Sequence, residues 1–207
     1  SVVDEDGNPV GPGKAGYLVI KGPWPATFRT THGTGQKALD QCWSRYPNTY
    51  FPADASWVDK DGYFWLLGRV DDLIDAPSAR ISTTDLEGSL VDHPAVAEAA
   101  AIGKDEGTDG HSITTFVTLK ESAKPSKALA AELKNHVERM IGSQARPSEI
   151  VFTPHLPKTI SGKIMRRLLR DIVERRPLGD TTSLLDNGVV EALEKQFRQE
   201  VCPISKS

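Results

Sequence analysis

The chain has 207 residues, 38% of them apolar and 26% charged, with a formal net charge of −3. That length fits one large domain or two small ones with a real buried core. The near-neutral balance argues against a dedicated nucleic-acid binder, which needs a basic excess to neutralise phosphates. No apolar run approaches the roughly 18 residues that span a bilayer.

Two cysteines, Cys42 and Cys202, allow at most a single disulfide and fit no zinc spacing. A reducing, cytoplasmic setting is the simplest expectation. Ser1 to Gly13 is polar and loop-like and carries neither an initiator Met nor a secretory leader, so a fragment or a processed chain is expected.

Tyr17 to Ile20 reads as a strand closed by Gly22-Pro23. Tyr50-Phe51 and Ser56 to Val58 read as strand pieces. Asp59 to Gly62 has turn chemistry, and Tyr63 to Leu67 returns as the second arm of a hairpin. The character changes after Gly68-Arg69. Thr83-Thr84-Asp85 can cap a helix through Leu86, Leu90 and Val91, stopped at Pro94. Val96 to Ile102 and Ile113 to Leu119 lean towards strand. Ser126 opens a helix with Leu129, Leu133, Val137 and Ile141 at four-residue steps, and Gly142 stops it. Ile150 to Phe152 is a short strand. Ile164, Leu168, Leu169, Ile172 and Val173 make the apolar stripe of a further helix, with Lys163 expected at its start. The alternation predicts an α+β domain from about residue 72, with a boundary near Val70 to Leu73.

Four segments carry chemistry, and their order is informative: Phe51-Pro52-Ala53-Asp54, Gly68 to Asp72, Asp92-His93-Pro94 with Val96, and Leu156 to Lys163. A lysine on a Ser161-Gly162 turn can reach a phosphate or carboxylate as a point charge. A carboxylate and a guanidinium, Asp54 and Arg69, can share the hydroxyls of a ribose. Taken one at a time, these residues read better as a solvated loop lysine and a surface ion pair.

As an ordered set they resemble the adenylate-forming superfamily of acyl-CoA synthetases, luciferases and peptide-synthetase adenylation domains. Trp24-Pro25 with Arg29-Thr30, Gly68 to Asp72, Val96 to Ala100, Pro157-Lys158-Thr159 through Met165-Arg166-Arg167, and Gly179 to Leu184 narrow the resemblance to the AMP-forming acetyl-CoA synthetases. The resemblance covers nearly the whole chain. It implies an acetate–CoA ligase that makes acetyl-adenylate and pyrophosphate from ATP, then acetyl-CoA and AMP, with Mg2+ and CoA as cofactors and acetate or a short-chain acid as substrate.

In the fold so implied, residues 1–70 are the β-rich tail of the large AMP-binding domain and residues 71–207 the small mobile C-terminal domain. The resemblance assigns Asp54 and Arg69 to the ribose, Asp71 to the hinge, and Arg80 to the nucleotide phosphates. Lys163 offsets charge during adenylation and is a target for a lysine acetyltransferase and deacetylase. Val91, His93 and Val96 match a magnesium position. The large N-terminal domain is the implied partner; nucleic acid and membrane are not.

Departures accompany the match. The family usually has Thr-Gly-Asp at Pro52-Ala53-Asp54 and Asn-Val-Ser-Gly-His-Arg at Asp75 to Arg80. Its CoA-entry Ser-Gly pair is replaced by Pro77-Ser78, and a CoA-phosphate arginine falls at Glu138. These leave two alternatives open: a catalytically degenerate nucleotide-binding relative, and an adenylating enzyme with a non-CoA acceptor. Without the large domain's phosphate loop and acetate pocket, the chain by itself is not expected to be active.

Overall fold

The computed structural model describes residues 1–22, 24–27, 40, 42–76, 79–106 and 111–199. Arg29, Thr30, Pro77, Ser78 and Cys202 lie outside the described residues. The chain divides into two compact units, Ser1–Asp72 and Leu73–Ser207.

The first unit is β-rich. Strands β1 (Val2–Val3), β2 (Gly16–Leu18), β5 (Asp54–Val58) and β6 (Phe64–Arg69) form an antiparallel sheet in the order β1-β2-β5-β6, and β3 (Ile20–Lys21) pairs with β4 (Thr49–Tyr50). The expected strand over Tyr17 to Ile20 is therefore two strands, broken at Val19, that join different sheets. The hairpin at residues 59–63 forms as its turn residues direct. The Asp59 carboxylate accepts the amides of Asp61 and Tyr63 and the indole N–H of Trp65. Tyr17, Tyr46, Phe51, Val3 and Val19 make the core of this unit. A 3-10 turn, Val70–Asp72, ends it and contains Asp71.

The second unit is α+β. A hairpin of β7 (Leu73–Ala76) and β8 (Ala79–Ser82) leads into helix α1 (Thr83–Val91). The central sheet has the order β11-β10-β9, from β9 (Val96–Asp105), β10 (His111–Leu119) and β11 (Glu149–Phe152). β9 and β10 are antiparallel, whereas β10 and β11 are parallel. Helix α2 (Lys127–Met140) supplies the connection between that parallel pair, as a parallel pair requires. Helices α3 (Arg166–Val173) and α4 (Asn187–Gln199) follow.

Both faces of this sheet are buried, which explains why β9 reads as a continuous apolar run and not an alternating one. Ala99 and Ala101 point into a core with Leu86, Leu90, Leu133 and Val137 of α1 and α2. Ala100 and Ile102 point the other way, onto Leu168, Leu169, Ile172, Val190 and Leu193 of α3 and α4. Among the described residues no helix is long and apolar enough to cross a membrane.

Two expectations shift. The cap of α1 is Ser82, whose side chain accepts the amide of Asp85, not the Thr83-Thr84-Asp85 run itself. Helix α3 begins at Arg166, so Lys163 is not at a helix start. Ile164 looked like the first residue of the α3 stripe, but it bridges to Lys158 and closes a turn instead.

Candidate functional site

Asp54 and Arg69 are direct partners across the antiparallel pair β5–β6. Arg69 Nη1 lies 3.4 Å from Asp54 Oδ1 and donates to the carbonyl of Pro52 at 2.5 Å. The pair is solvent-accessible, with side chains 51% and 33% exposed, and so contributes little as a structural ion pair. Ala53, just ahead of Asp54, has φ 63°. That left-handed conformation costs a residue with a Cβ about 1 kcal/mol or more, and it accounts physically for a glycine at this place in the resembling family. The amide of Val70 donates to the Ala53 carbonyl at 2.9 Å, locking the turn to the end of β6.

Tyr50 stands beside this pair. Burial, with the Cys42 thiol and the Asp54 carboxylate, pushes the Tyr50 hydroxyl above its ordinary value of 10.0, and Arg69 acts in the opposite sense. Tyr50 also packs edge-on against Trp24 and at a tilt against Trp43, with ring centroids 5.3 and 5.5 Å away.

Lys163 belongs to the second unit. It ends a tight turn in which Gly162 adopts φ 85°, a conformation that glycine reaches without strain. Its ammonium makes no ion pair with any described residue, and its side chain is exposed. The other lysine of the motif, Lys158, is committed: its ammonium is 2.5 Å from Glu98 Oε1. The turn lies against the segment 181–185, where Thr159 bridges to Leu184. That segment is braced in turn by Arg167, whose guanidinium donates to the Asp180 carbonyl. A Cβ on Gly179 would lie 2.3 Å from Arg167 Nη1, so a larger residue there would push this guanidinium aside.

Besides its apolar packing, a polar contact ties α3 to the rest of its unit. Glu87 of α1 takes Arg166 in a bidentate pair at 2.8 and 2.6 Å and also accepts the Ala101 amide at 2.8 Å. Sequence reasoning missed Glu87, because a mid-helix glutamate carries no signal until its partners are known.

Arg80 is exposed on β8. Val91, His93 and Val96 lie around the end of α1, with His93 only 7% exposed. His93 Nδ1 accepts the Ala95 amide at 3.3 Å, and Nε2 is 3.3 Å from Glu132 Oε1. Among the described residues, no group of three or more His, Cys, Asp or Glu could hold a metal ion. Both ring nitrogens of His93 are engaged inside the fold. Glu138 on α2 is paired with Arg146, which also donates to Asn135 at 2.7 Å. The negative charge of Glu138 is therefore offset by a neighbouring guanidinium.

Residues 85–163 match the AMP-binding enzyme C-terminal domain. The chain is 50% identical over 197 residues to an acetyl-coenzyme A synthetase of Rubrobacter xylanophilus, covering 94% of this chain and 30% of that protein. It is 47% identical over 197 residues to an acetyl-coenzyme A synthetase of Streptomyces coelicolor, covering 95% and 30%. Among solved structures, an acetoacetyl-CoA synthetase from Streptomyces lividans superposes with a TM-score of 0.83 at 20% identity, covering 96% of this chain and 30% of that one. The last likeness shows the fold. The chain spans 30% of the length of these curated relatives.

Proposed function

Since residues 85–163 match the AMP-binding enzyme C-terminal domain, we propose that this chain works as part of an ATP-dependent acetate–CoA ligase. What supports the reading most is its 50% identity over 197 residues to a named acetyl-coenzyme A synthetase. The reaction has two halves. An acetate oxygen attacks the α-phosphorus of ATP and pyrophosphate leaves; the CoA thiol then attacks the acyl carbon and AMP leaves.

In this reading residues 1–70 are the tail of the large AMP-binding domain, residues 71–207 the small mobile domain, and Asp71 the hinge between them. The Asp54 carboxylate accepts hydrogen bonds from the ribose hydroxyls, and the Arg69 guanidinium donates to them. Arg80 approaches the nucleotide phosphates. Lys163 meets the charge that builds on the α-phosphate and the acetate oxygens as adenylation proceeds, a stabilisation that is greatest in the transition state. Among the described residues the ammonium has no ion-pair partner, so none of them has to be displaced first. Acetylation of Lys163 by a lysine acetyltransferase would remove the charge and silence the first half-reaction. Magnesium accompanies the ATP phosphates, and Val91, His93 and Val96 would hold a magnesium ion partly through main-chain oxygens.

The test is an assay of the full-length protein with acetate, ATP and CoA. The expected products are acetyl-CoA, AMP and pyrophosphate. Pyrophosphate without acetyl-CoA would mean another acyl acceptor, and neither product would mean a degenerate relative.

A further inference from the structure

Thr159 makes three of the hydrogen bonds that close the turn ahead of α3. Its amide donates to the Lys163 carbonyl at 2.8 Å, and its carbonyl accepts from the Gly162 amide at 2.8 Å. Its Oγ1 accepts the main-chain N–H of Lys163 at 3.0 Å. The same Oγ1 lies 2.9 Å from the Ser161 hydroxyl, so it can accept from Lys163 while donating its own proton to Ser161. From outside, the turn is held by a short ladder: the Ile160 amide donates to the Ser183 carbonyl at 3.0 Å, and the Leu185 amide to the Lys158 carbonyl at 2.8 Å.

Apolar packing does not fix the tip. Ile160 is 75% exposed, and Ser161, Gly162 and Lys163 are exposed as well. Hydrogen bonds therefore set the direction in which the Lys163 side chain leaves the backbone. The ladder fixes Lys158 and Ile160, whereas Thr159 Oγ1 reaches the Lys163 amide itself.

We propose that Thr159 is a positioning residue for Lys163, its hydroxyl fixing the Lys163 amide and through it the path of the ammonium. The proposal rests on the adenylation role of Lys163 given above. A charge that acts at one point of a transition state loses much of its effect when displaced by an ångström or so. Valine keeps the shape and β-branching of threonine but can neither accept the Lys163 N–H nor donate to Ser161.

The experiment uses the full-length protein with Thr159→Val, Thr159→Ser and Lys163→Ala. Thr159→Val should lower kcat for acetate-dependent pyrophosphate release about five- to tenfold, the effect of one net hydrogen bond. KM for ATP and acetate should stay within about twofold. CoA-dependent discharge of supplied acetyl-adenylate should be unchanged, and Thr159→Ser should restore kcat. Equal loss in both half-reactions with no rescue by serine would overturn the proposal, because Thr159 would then serve folding alone. Full adenylation by Thr159→Val while Lys163→Ala is inactive would overturn this proposal and leave the role of Lys163 intact. Full adenylation by Lys163→Ala would overturn both.

Discussion

Two charged pairs in this chain differ in what they are for, and burial separates them. Glu87 and Arg166 are 12% and 21% exposed and share a bidentate contact, with the Ala101 amide as a third partner. Glu87→Gln keeps the size of the side chain but removes the charge that faces the guanidinium. It should lower the stability of the second unit by about 2 kcal/mol, read as a drop in the denaturant midpoint. An unchanged midpoint would mean that the pair is only decorative. Asp54 and Arg69 are far more accessible. Asp54→Asn should leave the unfolding midpoint within about 0.5 kcal/mol of the parent, while raising KM for ATP in the full-length protein, because asparagine presents one acceptor oxygen to the ribose where aspartate presents two. A large loss of stability with unchanged KM would make Asp54 a structural residue.

At the scale of elements, the segment 177–186 matters because it borders the Lys163 turn. Asp180 organises it by accepting the Thr182 amide at 2.9 Å and the Thr182 hydroxyl at 2.7 Å. The backbone bond from Thr182, then its side chain, and then the charge of Arg167 hold the Asp180 carboxyl below its ordinary value of 3.8. A carboxylate whose folded pKa is depressed contributes stability that is present above the unfolded value and is lost as pH falls through the folded one. The Asp180 carboxyl resonance should therefore titrate below 3.8, and protection of the Thr182 amide should be lost in that same acid range. A midpoint at or above 3.8 would contradict the bracing role. Which elements could be foreseen follows from the same physics. Helix α2 was legible because Ser126 caps it and Leu129, Leu133 and Val137 repeat at helical spacing. The strands β9 and β10 were legible as apolar runs. Helix α4 is not among the expected elements, although Val189, Val190, Leu193 and Phe197 carry the helical period. The start of α3 was misplaced because Ile164 fits the stripe by spacing and is claimed by a bridge to Lys158. In the candidate site, Asp54, Arg69 and Lys163 stand out only through the resemblance carried by the ordered set of motifs, not through residue type alone. The role of Thr159 depends on a hydroxyl-to-amide bond inside a turn, which leaves no periodic trace in a sequence.

At the scale of the molecule, Asp54 and Arg69 belong to the first unit and Lys163 to the second. The chain covers 30% of the length of its curated relatives, so the proposed reaction draws on groups beyond these 207 residues. Division into two units suits a reaction with two chemically distinct halves: a lysine on one body can serve the first half-reaction and be absent from the second. That division of labour is the central claim, and Lys163→Ala in the full-length protein tests it most directly. The variant should lose acetate-dependent pyrophosphate release by a factor of about one hundred or more, as expected when one pre-organised charge is removed from a transition state. It should still convert supplied acetyl-adenylate and CoA to acetyl-CoA at close to the parent rate. Equal loss of both half-reactions, or retention of both, would contradict the account.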